Sequence, residues 1–123
     1  MAKRKKTYSC GLEAALAVIG GKWKFMILFH LAAGAPKRFG ELRRSVAGIS
    51  EKMLIQELKE MELDGIVARK DFREVPPRVE YSLTPFGAEL AEASKPLCAW
   101  GTRHIKRIGG LPSQCDSIEN RAS

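Results

Sequence analysis

The chain has 123 residues, 45% of them apolar, and carries 21 Lys and Arg against 14 Asp and Glu, a formal charge of +7. That length supports one compact domain with its own core and argues against two. The positive balance favours polyanionic partners, either nucleic acid or an anionic membrane surface.

The start, MAKRKKTYSCGLEAALAVIGGKWK, is basic like a signal peptide, but Glu13 interrupts its short apolar stretch and no small-residue cleavage pattern follows. LEAALAVI, residues 12–19, predicts a short helix stopped by Gly20 and Gly21. A second helix follows in KWKFMILFHLAAG, where Trp23, Ile27, Leu28 and Leu31 recur at helical spacing and Gly34 and Pro36 close the segment. Its apolar surround predicts a central core helix. The longest apolar run, FMILFHLAAGA from Phe25, is broken by His30 and falls short of the roughly 20 residues a membrane span needs. A cytoplasmic protein with no membrane association is the expectation.

After a basic turn holding Lys37 and Arg38, FGELRRSV places Phe39, Leu42 and Val46 on one face of a two-turn helix. AGI reads as a turn, Ser50 as the N-cap of a further helix, and Gly65 as that helix's stop. Two helices across a short glycine-containing turn form a helix-turn-helix candidate.

The second of them, SEKMLIQELKEMELD, is acidic overall in a basic chain. On a wheel of roughly 100° per residue with Leu54 at zero, Leu58 and Met61 fall within about 40° of it and form a stripe for burial. Lys52, Gln56, Lys59 and Leu63 cluster on the opposite side, and every carboxylate lies on the flanks. An outward ridge of Lys and Gln without acids suits a DNA groove, where phosphates repel carboxylates and amides reach base edges. A solvated helix laced with Glu and Lys pairs is the other reading of this segment. Leu63 fits the groove reading only if the helix has left the groove by then and tucks under the following hairpin.

From Ile66 the period changes to two. IVARKDF and RVEYSL predict strands, and REVPP predicts a connection whose prolines suit a sheet edge. Arg69, Lys70, Arg73 and Arg78 give the hairpin a basic tip. Thr84 and Pro85 open a long helix as cap and first residue, with Leu90, Leu97, Trp100, Ile105 and Ile108 continuing an apolar surface past Pro96, where a kink or brief interruption is expected. Residues 1–9 read as a basic flexible arm, 10–108 as the domain and 109–123 as a flexible tail.

Helix, turn, helix, basic hairpin and closing helix is the order of a winged helix-turn-helix domain, an α+β fold that is mainly α with a two-stranded wing. Basic residues around it, Arg38, Arg43, Arg73 and Arg78, join Lys52, Gln56 and Lys59 as candidate DNA contacts.

The chain also resembles the HxlR-type winged-helix transcriptional regulators, a bacterial group related to the MarR-type repressors. A Cys shortly before EAALAVIGGKWK carries the resemblance, followed by RFGELRRSVAGISEKMLIQELKEMELDGIV and PPRVEYSLTPFG. It implies a homodimer on an inverted repeat in double-stranded DNA, with the first and last helices forming the dimer interface. It also implies Ser50, Lys52, Met53 and Gln56 at the DNA-facing start of the recognition helix, Arg78 at the wing, and Lys22 and Lys24 as phosphate anchors at the start of the core helix, where they can equally be solvated charges. On the wheel Met53 lies on a flank, open to a thymine methyl or to packing, with packing favoured.

In many relatives of that group the N-terminal cysteine senses oxidants or electrophiles, and Cys10 is its positional match. A position at the start of a helix and neighbouring Lys3, Arg4, Lys5 and Lys6 would favour its thiolate. Gly11 stands where the family usually has proline, which leaves a structural Cys10 as the alternative. Cys98 reads as a packed thiol and Cys115 as a possible resolving partner. These cysteines are too few and too scattered for a disulfide framework or a paired metal site. His30 and His104 stand alone, and there is no HExxH, Walker-type loop or dinucleotide fingerprint. No enzyme and no cofactor is expected; a thiol enzyme built on Cys10 or a non-specific nucleic-acid module are the competing functions.

Overall fold

The computed structural model describes residues 7–110. The first six residues of the expected arm, and the expected tail from residue 111 with Cys115, lie outside the described residues. Five helices and three strands follow in order: α1 (Gly11–Ile19), α2 (Lys22–Leu31), β1 (Lys37–Arg38), α3 (Phe39–Ser45), α4 (Glu51–Leu63), β2 (Val67–Asp71), β3 (Val79–Leu83) and α5 (Pro85–Arg107). Among these described residues no single helix is long and apolar enough to cross a membrane.

The core forms where the helical stripes converge. Ile27, Leu28 and Leu31 of α2, Leu42 of α3, and Leu54, Leu58 and Met61 of α4 are buried together with Val46, Ile49, Ile66 and Val67. Each such side chain contributes on the order of 2 kcal/mol by leaving water. Turning α4 about its axis would expose its three together, so its rotation is fixed. Ser50 caps α4 by accepting the Met53 N–H at 3.1 Å. Gly65, at a φ of 77°, makes the left-handed turn that ends it.

β2 and β3 pair antiparallel from Val67 with Leu83 to Asp71 with Val79, the expected wing. The basic turn expected at Lys37 and Arg38 is instead a third strand. It pairs with β3, Lys37 opposite Tyr81 and Arg38 opposite Glu80, in a sheet of order β1-β3-β2. Two residues are too few to show a period of two, and their partner is distant in sequence. α5 runs unbroken through Pro96, against the expected interruption, with the proline exposed. Leu63 does not tuck under the hairpin but stays 66% exposed.

The junction of wing and α5 is tight. Thr84 Oγ1 donates to the Gly65 carbonyl at 2.6 Å and accepts the Gly87 N–H at 2.9 Å, while the Thr84 N–H donates to the Ile66 carbonyl. A Cβ on Gly87 would lie 2.1 Å from the Ile66 carbonyl oxygen. Gly87→Ala is therefore expected to destabilise the fold by about 3 kcal/mol, the upper end of overpacking costs. Urea unfolding measures this; a variant as stable as the parent would show that the junction has slack.

Candidate nucleic-acid interface

With its apolar stripe buried, α4 presents Lys52, Gln56 and Lys59 to solvent, the ridge read from the wheel. Met53, on the flank, is half-buried and packs against the core, the option favoured from sequence. Three of the acids of α4 face basic side chains from neighbouring elements, while Glu62 stays exposed. Glu51 Oε2 lies 3.7 Å from Arg43 Nη1, an exposed pair that contributes little to stability but offsets charge beside the ridge.

Glu57 and Glu60 both face Lys24. Its Nζ donates to Glu60 Oε1 at 2.8 Å and lies 3.4 Å from Glu57 Oε2. Lys24 is therefore not the surface charge expected as a phosphate anchor. Its side chain is only 9% exposed, drawn inward because the i, i+3 pair of carboxylates on α4 lies against the start of α2. Lys22, two residues earlier, stays exposed with its ammonium 4.5 Å from the Trp23 ring centroid.

On the wing, Arg69, Lys70 and Arg73 are exposed. Arg73 occupies a left-handed φ of 54° and donates its N–H to Asp71 Oδ1 at 2.9 Å. Arg78 is less free than its neighbours. Its guanidinium lies 4.1 Å from the Phe72 ring centroid and makes two bonds, of 2.9 and 3.1 Å, to Glu80 Oε2. Lys70 approaches the same ring at 4.7 Å, so Phe72 organises the wing's charges. Arg38, exposed, donates from Nη2 to the Pro77 carbonyl at 3.2 Å and so links the start of α3 to the wing loop.

A cleft of about 290 Å³ separates α4 from the sheet and brings Lys59 and Arg69 to one surface with Ile55, Leu58, Glu62 and Tyr81. Ile55 and Tyr81 were not singled out by the sequence. Ile55 lies on α4 and Tyr81 on β3, so only the closure of wing against helix gives them a shared cleft.

Cys10 is exposed at the N-cap of α1, whereas Cys98 is buried. The sulfur closes no full capping bond, yet the backbone N–H groups of Glu13 and then Leu12 hold the thiol below its ordinary pKa, with a smaller contribution from the Ser9 side chain. Lys3 to Lys6, expected to assist, lie outside the described residues.

A buried-face helix behind a short turn, exposed on its polar ridge and flanked by a basic hairpin, defines a winged helix-turn-helix protein. Residues 18–109 match the family model for the HxlR-like helix-turn-helix. The chain belongs to that family of transcriptional regulators. It is 49% identical over 106 residues to the HTH-type transcriptional regulator YtcD of Bacillus subtilis, covering 86% of this chain and 83% of that protein. The ytcD crystal structure superposes with a TM-score of 0.74 at 47% identity, over 79% of this chain and 98% of that one. The redox regulator HypR in its reduced form gives a TM-score of 0.73 at 43% identity, over 80% and 98%.

Removing Lys24 takes away the ammonium that two mostly buried carboxylates, Glu57 and Glu60, both face. Lys24→Met is expected to destabilise the fold by about 2–3 kcal/mol, below the cost for a fully buried pair because Glu60 keeps some contact with water. Chemical denaturation checks this; unchanged stability would mean that the carboxylates re-solvate freely.

Proposed function

We propose that the chain acts as a homodimer that binds an inverted-repeat operator in double-stranded DNA, with the stretch of α4 from Lys52 to Lys59 in the major groove and the exposed Leu63, at its C-terminal end, outside it. The observation that carries this reading is the exposed ridge of Lys52, Gln56 and Lys59, beside which Glu51 faces Arg43 and Glu57 and Glu60 face Lys24. In this reading Gln56 reads a base edge, while Lys52 and Lys59 meet phosphates beside the capped start of α4 at Ser50. Arg69 and Arg73 reach the flanking backbone from the wing. Lys22, Arg38 and Arg43 add positive potential, and Arg78 mainly shapes the wing.

A second copy is supported by Leu12 and Leu16 on α1 and Leu97 and Trp100 on α5, all more than half exposed on the terminal helices. Two wings and two α4 helices would then meet half-sites about one helical turn apart. The protein acts by binding rather than by turnover, inside the cell where DNA is.

Cys10 supports a second layer, control by an oxidant or electrophile. Its thiol is exposed and acidified, and redox regulators stand among the solved structures similar to this chain. Modification there, at the start of a helix of the proposed dimer, would alter the spacing of the two α4 helices.

Footprinting upstream of the encoding gene tests the reading. Gln56→Ala is expected to reduce discrimination between operator and unrelated duplex by roughly tenfold. Lys59→Ala is expected to weaken binding to all sequences and to flatten the salt dependence by about one unit for each phosphate that the shortened side chain no longer reaches. If neither change alters operator affinity, α4 is not in the groove.

A depressed thiol pKa means more thiolate at neutral pH. Alkylation of Cys10 by iodoacetamide is thus expected to reach half its maximal rate at a lower pH than a cysteine in an unstructured peptide, with Cys98 lagging behind. A peptide-like profile at Cys10 would remove the case for sensing.

A further inference from the structure

We propose that Glu60 and Lys24 are positioning residues for base recognition: together they hold the Gln56 amide in one orientation and thereby select adenine at one position of each half-site. This rests on the groove assignment of α4 made above.

The connection is continuous from core to surface. Lys24, on the core helix α2, donates from Nζ to Glu60 Oε1 at 2.8 Å. The other oxygen of that carboxylate, Oε2, accepts from Gln56 Nε2 at 3.3 Å, one helical turn away. An ionised carboxylate only accepts, so the amide must turn its nitrogen towards Glu60. Lys24 and Glu60 are themselves confined, with side chains only 9% and 22% exposed, whereas Gln56 is exposed.

That orientation has a chemical consequence in a groove. A glutamine without a partner presents either end of its amide. With one amide hydrogen engaged by Glu60, the other remains available together with Oε1. The pair matches adenine, whose N6 amino group donates and whose N7 accepts. Neither Lys24 nor Glu60 needs to touch DNA. Lys24 also offsets the negative charge of Glu60 beside the phosphates.

Selection of duplexes from a random-sequence pool by the full-length protein tests the proposal, with thermal unfolding recorded for every variant. The wild type is expected to enrich an inverted repeat, with adenine at a half-site position whose preference Gln56→Ala abolishes. Glu60→Ala, which cannot accept the amide, is expected to relax that position by roughly tenfold and leave the other positions intact. Glu60→Gln retains an acceptor for Lys24, guards against misfolding and should relax the same position. Adding Glu60→Ala to Gln56→Ala should change nothing further at that position, because the two act through one contact.

Full adenine preference in both Glu60 variants overturns the proposal and leaves the groove reading standing. Equal weakening at all positions also overturns it, since that is the mark of a merely structural residue. A wild type that enriches no sequence removes the groove reading and this inference with it.

Discussion

Burial of Leu54, Leu58 and Met61 against α2 is the constraint on which the interface depends. A helix has one free rotation once its ends are fixed, and three apolar side chains on one stripe decide it. Everything at the surface follows from that choice. Lys52, Gln56 and Lys59 face out because Leu54 faces in, and Glu57 and Glu60 come round to the flank where α2 begins. The Lys24 ammonium meets them there, so these two carboxylates are turned inward, away from the ridge.

The wing is located by a second contact. Thr84 ends β3, caps α5 and binds back to the Gly65 and Ile66 carbonyls where α4 gives way to β2. One side chain thus joins the stop of α4, the start of the hairpin and the first turn of α5. Gly87 permits this because any larger residue would occupy the space of the Ile66 carbonyl. β1 adds a pair of bonded residues on the far side of β3, which ties the start of α3 to the same sheet. The angle between α4 and the wing, and so the cleft that holds Lys59 and Arg69, is set by these short connections rather than by the charged residues themselves.

Charge at the wing shows a similar division between display and support. Arg69 and Arg73 extend from the hairpin, whereas Arg78 lies over Phe72 and against Glu80. These three basic residues, close together in sequence, therefore have different availability. The distinction matters for recognition, since a guanidinium already paired with a carboxylate and stacked on a ring must break those contacts to meet a phosphate.

The sequence by itself determined the elements, because their signals are local: helical spacing in α2 and α4, the Ser50 and Thr84 caps, the Gly65 stop and the alternation in RVEYSL. It also determined the outward ridge of α4, since a wheel needs only the chain's own periodicity. What it could not determine were relations between residues far apart. Lys24 looked like a free surface cation because its carboxylate partners lie some 36 positions away in sequence. Lys37 and Arg38 looked like a turn because the strand that makes them a strand follows more than 40 positions later. The cleft residues Ile55 and Tyr81 were silent for the same reason. Burial, pairing and counter-charge come from contacts between elements, and those exist only once packing has fixed how the elements meet.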